Sequence, residues 1–356
     1  MDPTDEKIYL NGLNILYQSS YAKIFPLFKE YLNKNQIPSF KNIWENLDKE
    51  IREKIDLEKE WRKLEKEKIE LITFKNNLYP PLLKQIPYPP LGLYLKGTLT
   101  NNSYPLAVVG TRKPTIYGKM VVSKIIQGLC YYGITIISGL AYGIDTLVHK
   151  AVLENKGKTI AVLASGFNNI TPVTNKNLAL KIIEKGALVS EYHPQSLSLK
   201  YNFPWRNRII SGLALGTLVI EAKEKSGALI TANFAFKQKR KVFAIPGSIF
   251  SQTSLGTNNL IKKGAKLVNK AEEIVEEICP QLLKTEKEFK LKNLNLNEKE
   301  NLILKILKED ELISLDKILE MTNLKANEAM IVLTELELKG LINEVKSGYY
   351  LKETNH

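Results

Sequence analysis

Residues 203–213, FPWRNRIISGL, put Phe203, Trp205, Arg206 and Arg208 within six positions, directly before an apolar run. Arginine pairs with phosphate through a bidentate fork and stacks on flat rings. An aromatic side chain beside it stacks an unpaired base, worth about 1–3 kcal/mol per base. With Asn207 between them, two guanidiniums and two rings at a helix start suit a single nucleic-acid strand, because a duplex hides its base faces. Core packing is the competing reading for Trp205, and pairing with Glu191 or Glu221 is the competing reading for one of the arginines.

Other stretches carry related chemistry. GTRKPTIYG (110–118) offers close backbone approach at Gly110, a hydroxyl at Thr111, and positive charge at Arg112 and Lys113, at the start of a helix. That set suits phosphate, against the plainer reading of a polar connecting loop. In SGLAYGIDTLVHKAVL (138–153), Gly139 and Gly143 make a tight turn, and Asp145 caps the helix or holds a neighbouring amide. His149 lies one turn further on the same face, and an Asp145–His149 hydrogen bond that fixes the turn is expected in preference to catalysis. Ser226 and Gly227 open a further helix, where a hydroxyl and free amides form another anion site. Gly247, in IPGS, precedes a segment in which Asn258 sits before a helix and Lys262 adds charge.

Several catalytic patterns are missing from the sequence. No G-x-G-x-x-G follows the first apolar run, and no G-x-S-x-G elbow is present. GKT at 157–159 precedes an apolar run, whereas a P-loop follows one. Two cysteines and three histidines fit neither a disulfide framework nor most zinc sites, and no acidic cluster suits a two-metal site. Binding is expected, with no cofactor, no metal and no catalytic residue.

The elements that must position these residues follow from the patterning. LAVVG (106–110), ITIIS (134–138), TIAVLA (159–164), ALVSE (187–191), TLVIEA (217–222) and KVFAIP (241–246) are short and apolar throughout. Such runs suit strands buried on both faces, and helical segments lie between them. The pattern predicts an α/β fold: a doubly wound, mostly parallel sheet with helices on both sides. In that fold ligands bind beyond the carboxyl ends of the strands, and nearly all the candidate residues fall there. Residues 1–72 read as a small helical domain of SAM or helix-hairpin-helix type, including helical spacing at Ile24, Leu27, Phe28 and Tyr31. The sheet domain is expected at 73–280, a polar linker at 281–296, and a winged helix at 297–356.

Charge is unevenly spread. Residues 71–296 hold 30 Lys+Arg against 12 Asp+Glu, net +18, whereas 1–70 are net −1 and 297–356 net −4. A basic middle and neutral or acidic ends point to a polyanion partner for the middle alone. The acidic third helix of the last unit predicts that it contacts protein or another part of the chain rather than duplex DNA. No apolar run reaches membrane-spanning length, and the polar N-terminus lacks a secretory pattern, so the cytoplasm is the expected location, with no membrane partner.

VGTRKPTIYG, SGLAYGID..VH, FPWRNRIISGL, SGALITA, and IPGS followed by G.N.LI..GA occur in the order found in the DNA-processing protein A (DprA/Smf) family, which residues 75–270 closely resemble. The resemblance implies an extended Rossmann-like domain that binds single-stranded DNA in a basic pocket, homodimers, protection of incoming DNA during natural transformation, and loading of the RecA recombinase. It implies DNA contacts at Gly110, Thr111, Arg112, Phe203, Arg206, Asn207, Arg208, Ser226 and Gly227. Two rivals stand beside it. One is a nucleotide N-glycosidase of the lysine-decarboxylase-like (LOG) group, against which LALGTLVIEA lacks paired glycines and sets Glu221 one residue too far along. The other is a winged-helix transcription regulator.

Overall fold

The computed structural model describes residues 3–19, 39–99, 104–283, 296–307, 311–339 and 341–352. The helical spacing read at residues 24–31 and most of the expected linker lie outside them. The chain divides into two compact units, residues 1–279 and 280–356.

Among the described residues the first unit is built on a nine-stranded sheet, in the order β1-β2-β6-β5-β4-β3-β7-β8-β9. The six apolar runs become β3 (Pro105–Val109), β4 (Thr135–Ser138), β5 (Thr159–Leu163), β6 (Ala187–Ser190), β7 (Gly216–Val219) and β8 (Lys241–Ala244). All six pair in parallel with their neighbours in this set. Three strands were not anticipated from sequence. β1 (Glu70–Thr73) and β2 (Gly92–Gly97) add to β6 antiparallel, and β9 (Lys266–Leu267) ends the other edge. β1 follows a densely charged helix and β2 follows a proline-rich stretch, so neither has a flanking pattern that marks a strand.

Helices α4 (Ile116–Tyr131), α5 (Ile144–Glu154), α6 (Lys176–Lys185), α7 (Asn202–Gly212), α8 (Gly227–Lys237) and α9 (Gln252–Lys262) connect the parallel strands. Before them come α1 (Pro3–Leu16), α2 (Phe40–Glu45) and α3 (Leu57–Lys66). Alternate strand residues divide between two cores, as the two-residue period of a strand requires. Ile72, Leu93, Ile160, Val162, Ala187 and Val189 belong to one core. Leu71, Tyr94, Ala161, Leu163 and Leu188 belong to the other, which they share with Leu10, Leu13, Phe40, Trp44 and Leu64 of the N-terminal helices. The described N-terminal helices therefore cover one face of the sheet, and the residue-72 boundary falls inside β1.

The chain proceeds β3-β4-β5-β6 toward one edge and then crosses to β7 on the other side of β3. This reversal opens a crevice at the carboxyl ends of β3 and β7, where open α/β sheets take their ligands.

The second unit has its own core, including Ile303, Ile318, Val332, Leu333, Leu336, Ile342 and Tyr350. Helices α10 (Glu298–Ile306), α11 (Leu315–Thr322) and α12 (Ala326–Leu338) pack with a small sheet of β10 (Ile313–Ser314), β12 (Tyr349–Lys352) and β11 (Ile342–Lys346). Asn297 and Glu300 form a capping box at the start of α10. This is a winged helix.

Tyr94 joins the N-terminal helix to the sheet. Its hydroxyl donates to Asn11 Oδ1 at 2.8 Å and accepts from Asn14 Nδ2 at 3.1 Å, all three residues being buried. Tyr94→Phe leaves two buried amides short of a partner and should cost about 1–3 kcal/mol. Urea denaturation of the full chain checks this, and a midpoint equal to that of the wild type would rule it out.

Candidate nucleic-acid interface

Glu221 organises the crevice. It ends the apolar run of β7, is 1% exposed, and gathers three segments. Thr115 donates from its backbone amide to Oε2 at 2.9 Å and from its hydroxyl to Oε1 at 2.6 Å. Thr253, at the start of α9, donates to Oε1 at 2.9 Å. The Glu221 carbonyl accepts from the Thr111 amide at 2.7 Å. Thr115 in turn caps α4 by accepting from the Gly118 amide at 3.2 Å. The loop 110–115 is thus tied down on its inner side, and Arg112 and Lys113 remain exposed.

Asp145 performs the same service for the loop after β4, accepting from the amides of Gly139 at 3.2 Å and Ala141 at 3.4 Å. Burial pushes its carboxyl above the ordinary range, and Arg206 pulls it back. Gly143 has φ +82°, and a Cβ there would lie 2.6 Å from Arg112 Cα, so the loops after β3 and β4 cross where only glycine fits. A Cβ on Gly139 would meet the Arg206 guanidinium at 2.6 Å and Asp145 Oδ2 at 2.8 Å.

The expected Asp145–His149 bond does not form. His149 Nδ1 lies 2.7 Å from Thr159 Oγ1, whose own hydroxyl proton goes to the Ile136 carbonyl at 2.9 Å. Thr159 can then only accept, so His149 donates from Nδ1. Burial, followed by the field of Arg206, pulls the His149 pKa down to about 3.

The two arginines of FPWRNRIISGL turn inward, which corrects the expectation that they face phosphate. Arg206 is 3% exposed and donates to the carbonyls of Gly139, at 2.8 Å, and Val162. It plugs the ends of β4 and β5 beside Asp145, and burial lowers its pKa to about 10, which leaves it cationic at neutral pH. Arg208, 1% exposed, pairs with Glu191 at 2.5 Å and lies 4.4 Å from the Trp205 ring centroid. Burial raises the Glu191 carboxyl, and Arg208 opposes the rise. The ion pair with Glu191 is one of the two partners the sequence admits for an arginine here.

The other candidates are distributed as follows. Phe203, half-buried, carries the Arg112 guanidinium 5.5 Å from its ring centroid, so two motifs 91 positions apart meet. Asn207 accepts from Arg206 Nε at 3.2 Å and donates to the Gly227 carbonyl at 3.3 Å, bringing the start of α8 alongside. Ser226 caps α8, and Gly227 is exposed with open space around its α-carbon. Gly247 and Asn258 exchange hydrogen bonds at 3.3 and 3.0 Å. Gly110 lies against Ile144. Lys262 is set apart: it occupies the last turn of α9, about 15 Å along the helix from its start at the crevice. Lys223 and Lys225, exposed in the loop after β7, were not singled out from sequence. Their position directly after a strand end, in AKEKSG, is the signal that marks them.

Among the described residues, no three His, Cys, Asp or Glu side chains are grouped to hold a metal, and no helix is long and apolar enough to cross a membrane.

A Rossmann-like sheet with a cationic, partly aromatic crevice at its switch point, followed by a winged helix, defines the class of architecture. Comparison with known proteins narrows it. Residues 70–279 match the family model described as DNA recombination-mediator protein A, and residues 291–348 match that of the DprA winged helix domain. The chain belongs to the DprA/Smf family. It is 46% identical over 212 residues to the DNA processing protein DprA of Bacillus subtilis, covering 59% of this chain and 71% of that one. It is 40% identical over 292 residues to protein Smf of Escherichia coli, covering 80% and 78%. The crystal structure of DprA from Streptococcus pneumoniae superposes with a TM-score of 0.64 at 37% identity, over 74% of this chain and 95% of that one. A structure of DNA processing protein A from Helicobacter pylori, described for its single-stranded DNA binding mode, superposes with a TM-score of 0.54 at 27% identity, over 60% and 97%.

His149 makes a pH prediction. The unfolded chain takes up a proton there below the ordinary pKa of 6.5, and the folded chain does not until about 3. The stability that neutral His149 contributes is therefore present above pH 6.5 and is lost as pH falls toward 3. His149→Gln should flatten the fall of the urea midpoint between pH 6.5 and 4. Parallel curves for the two proteins would contradict it.

Proposed function

We propose that this chain is a non-catalytic single-stranded DNA binder and recombination mediator. The observation that carries this reading is the solvent-open cluster of Arg112, Lys113 and Phe203 at the β3/β7 switch point, with Asn207, Ser226 and Gly227 beside it. Exposed cations there take phosphates, and the half-exposed Phe203 ring takes a base. Gly110 and Thr111 shape the loop, and the amides at the start of α8 add an anion site. Arg206 and Arg208 act as internal supports of this surface. The single-strand binding described for the H. pylori relative supports the choice of ligand.

The family's description as recombination mediators supports the further reading that the protein protects incoming DNA, loads RecA onto it, and works as a homodimer in the cytoplasm. Glu221, the residue that invites comparison with a nucleotide N-glycosidase, is buried and engaged by Thr115 and Thr253, which supports a structural role for it over a catalytic one.

Binding of a labelled oligothymidine and of a duplex of equal length, across a salt series, tests the reading. Arg112→Ala should weaken single-strand binding about tenfold and reduce the salt slope by about 0.7, with the folded state intact. Arg208→Ala should instead lose about 3–5 kcal/mol of stability, because it strands the buried Glu191. Equal affinity for duplex and single strand in the wild type would sink the proposal.

The winged-helix unit is acidic, and α12 presents Met330, Ile331 and Leu338 to solvent, with Glu335 and Glu337 beside them. Phosphate is repelled by such a face, which supports a protein partner. A chain ending at Cys279 should keep its single-strand affinity within about twofold, as read by the same titration.

A further inference from the structure

We propose that the tip of the loop between β8 and α9, with the first turns of α4, is a base-stacking platform that extends the single-strand path beyond the crevice; this rests on the single-strand reading above. The loop is fastened to the crevice at both ends. The Pro246 carbonyl accepts from the Tyr117 hydroxyl at 2.8 Å, Gly247 is held by Asn258, and Thr253 is held by Glu221. Between these anchors residues 248–251 turn back, with Ser251 N donating to the Ser248 carbonyl at 3.0 Å and Phe250 N to Ser248 Oγ at 3.2 Å. The turn pushes Ile249 and Phe250 into solvent, 76% and 93% exposed. Across the Tyr117–Pro246 bond, α4 adds Ile116, Tyr117 and Met120, which are also exposed.

A phenylalanine this exposed contributes no burial to the folded chain, and a cluster of exposed apolar side chains on a monomer marks a contact surface. The charges around it identify the occupant. Residues 246–252, PGSIFSQ, carry no charge, and the exposed charged residues of the adjoining segment 112–120 are Arg112, Lys113 and Lys119. A single strand meets both features: its phosphates lie along the cations and its flat, uncharged bases lie on the rings and aliphatic side chains. In a two-fold dimer, the commonest assembly of identical chains, a second copy on this patch would face it with the same patch. That would set Arg112, Lys113 and Lys119 against their own counterparts. The strand, not a second copy, is therefore the occupant.

Fluorescence anisotropy with the full chain tests this, using oligothymidines of increasing length and matched oligonucleotides carrying abasic sugars at the 5′ or the 3′ end. Phe250→Ala should weaken binding of the longer all-thymidine strands about tenfold and leave binding of one abasic-ended series unchanged. Arg112→Ala should weaken every strand. If Phe250→Ala binds all strands as the wild type does while Arg112→Ala does not, the platform is overturned and the single-strand reading stands. If the wild type binds no single strand, both fail. Dissociation of an oligomer by Phe250→Ala in sedimentation would assign the patch to a second copy and likewise overturn the platform. The substituted residue sits at a solvent-exposed tip, so the folded state is preserved and the comparison is direct.

Discussion

A single buried carboxylate, Glu221, holds the functional edge of this protein in shape. It stands where the chain reverses direction across the sheet, and there three segments must be brought together with no secondary structure to do it. Two hydroxyls and one amide converge on its side chain, and its carbonyl takes a further amide from the β3 loop. Each of these donors would be costly to bury unpaired, at about 1–3 kcal/mol. The same bonds hold the inner side of the loop, and Arg112 and Lys113 lie on its exposed side.

The arginines show how burial divides one residue type between two tasks. Arg206 and Arg208 stand in a single helix with an exposed environment close by, yet both are used to close the ends of strands. A buried guanidinium needs several acceptors arranged around it, and Arg206 finds them in the carbonyls left free where β4 and β5 end. Arg208 has a carboxylate and an indole face. These internal cations stiffen the floor on which Phe203 rests. The exposed Arg112, which faces Phe203 from another loop, then has a fixed surface to work against.

Charge is partitioned along the chain in keeping with this division. The sheet unit carries the positive excess, and the winged helix carries a negative one on a fold often associated with DNA. The apolar and acidic outer face of α12 suits protein better than phosphate. The two units therefore carry surfaces of opposite character, the positive field of the first reaching about a Debye length, about 8 Å in physiological salt.

The six parallel strands, the winged helix and the Gly- and Ser-rich strand ends were legible because unbroken apolar runs and repeated turn signals are local properties. β1 and β2 were not, since neither has a flanking pattern that marks a strand, and their antiparallel place beside β6 is fixed only in the folded sheet. Within the candidate site, the types and order of the motifs pointed to one edge of the sheet, and the structure gathers most of those residues there. Whether a given side chain on that edge faces solvent or the interior was settled by tertiary structure. Arg112, Arg206 and Arg208 are chemically equivalent in sequence, but only folding sets carbonyls and Glu191 around two of them and water around the third. By itself the sequence determined the chemistry available at the crevice and the fold that gathers it. The tertiary structure decided which cations remain free, because desolvation and the supply of buried acceptors depend on neighbours that no local pattern records.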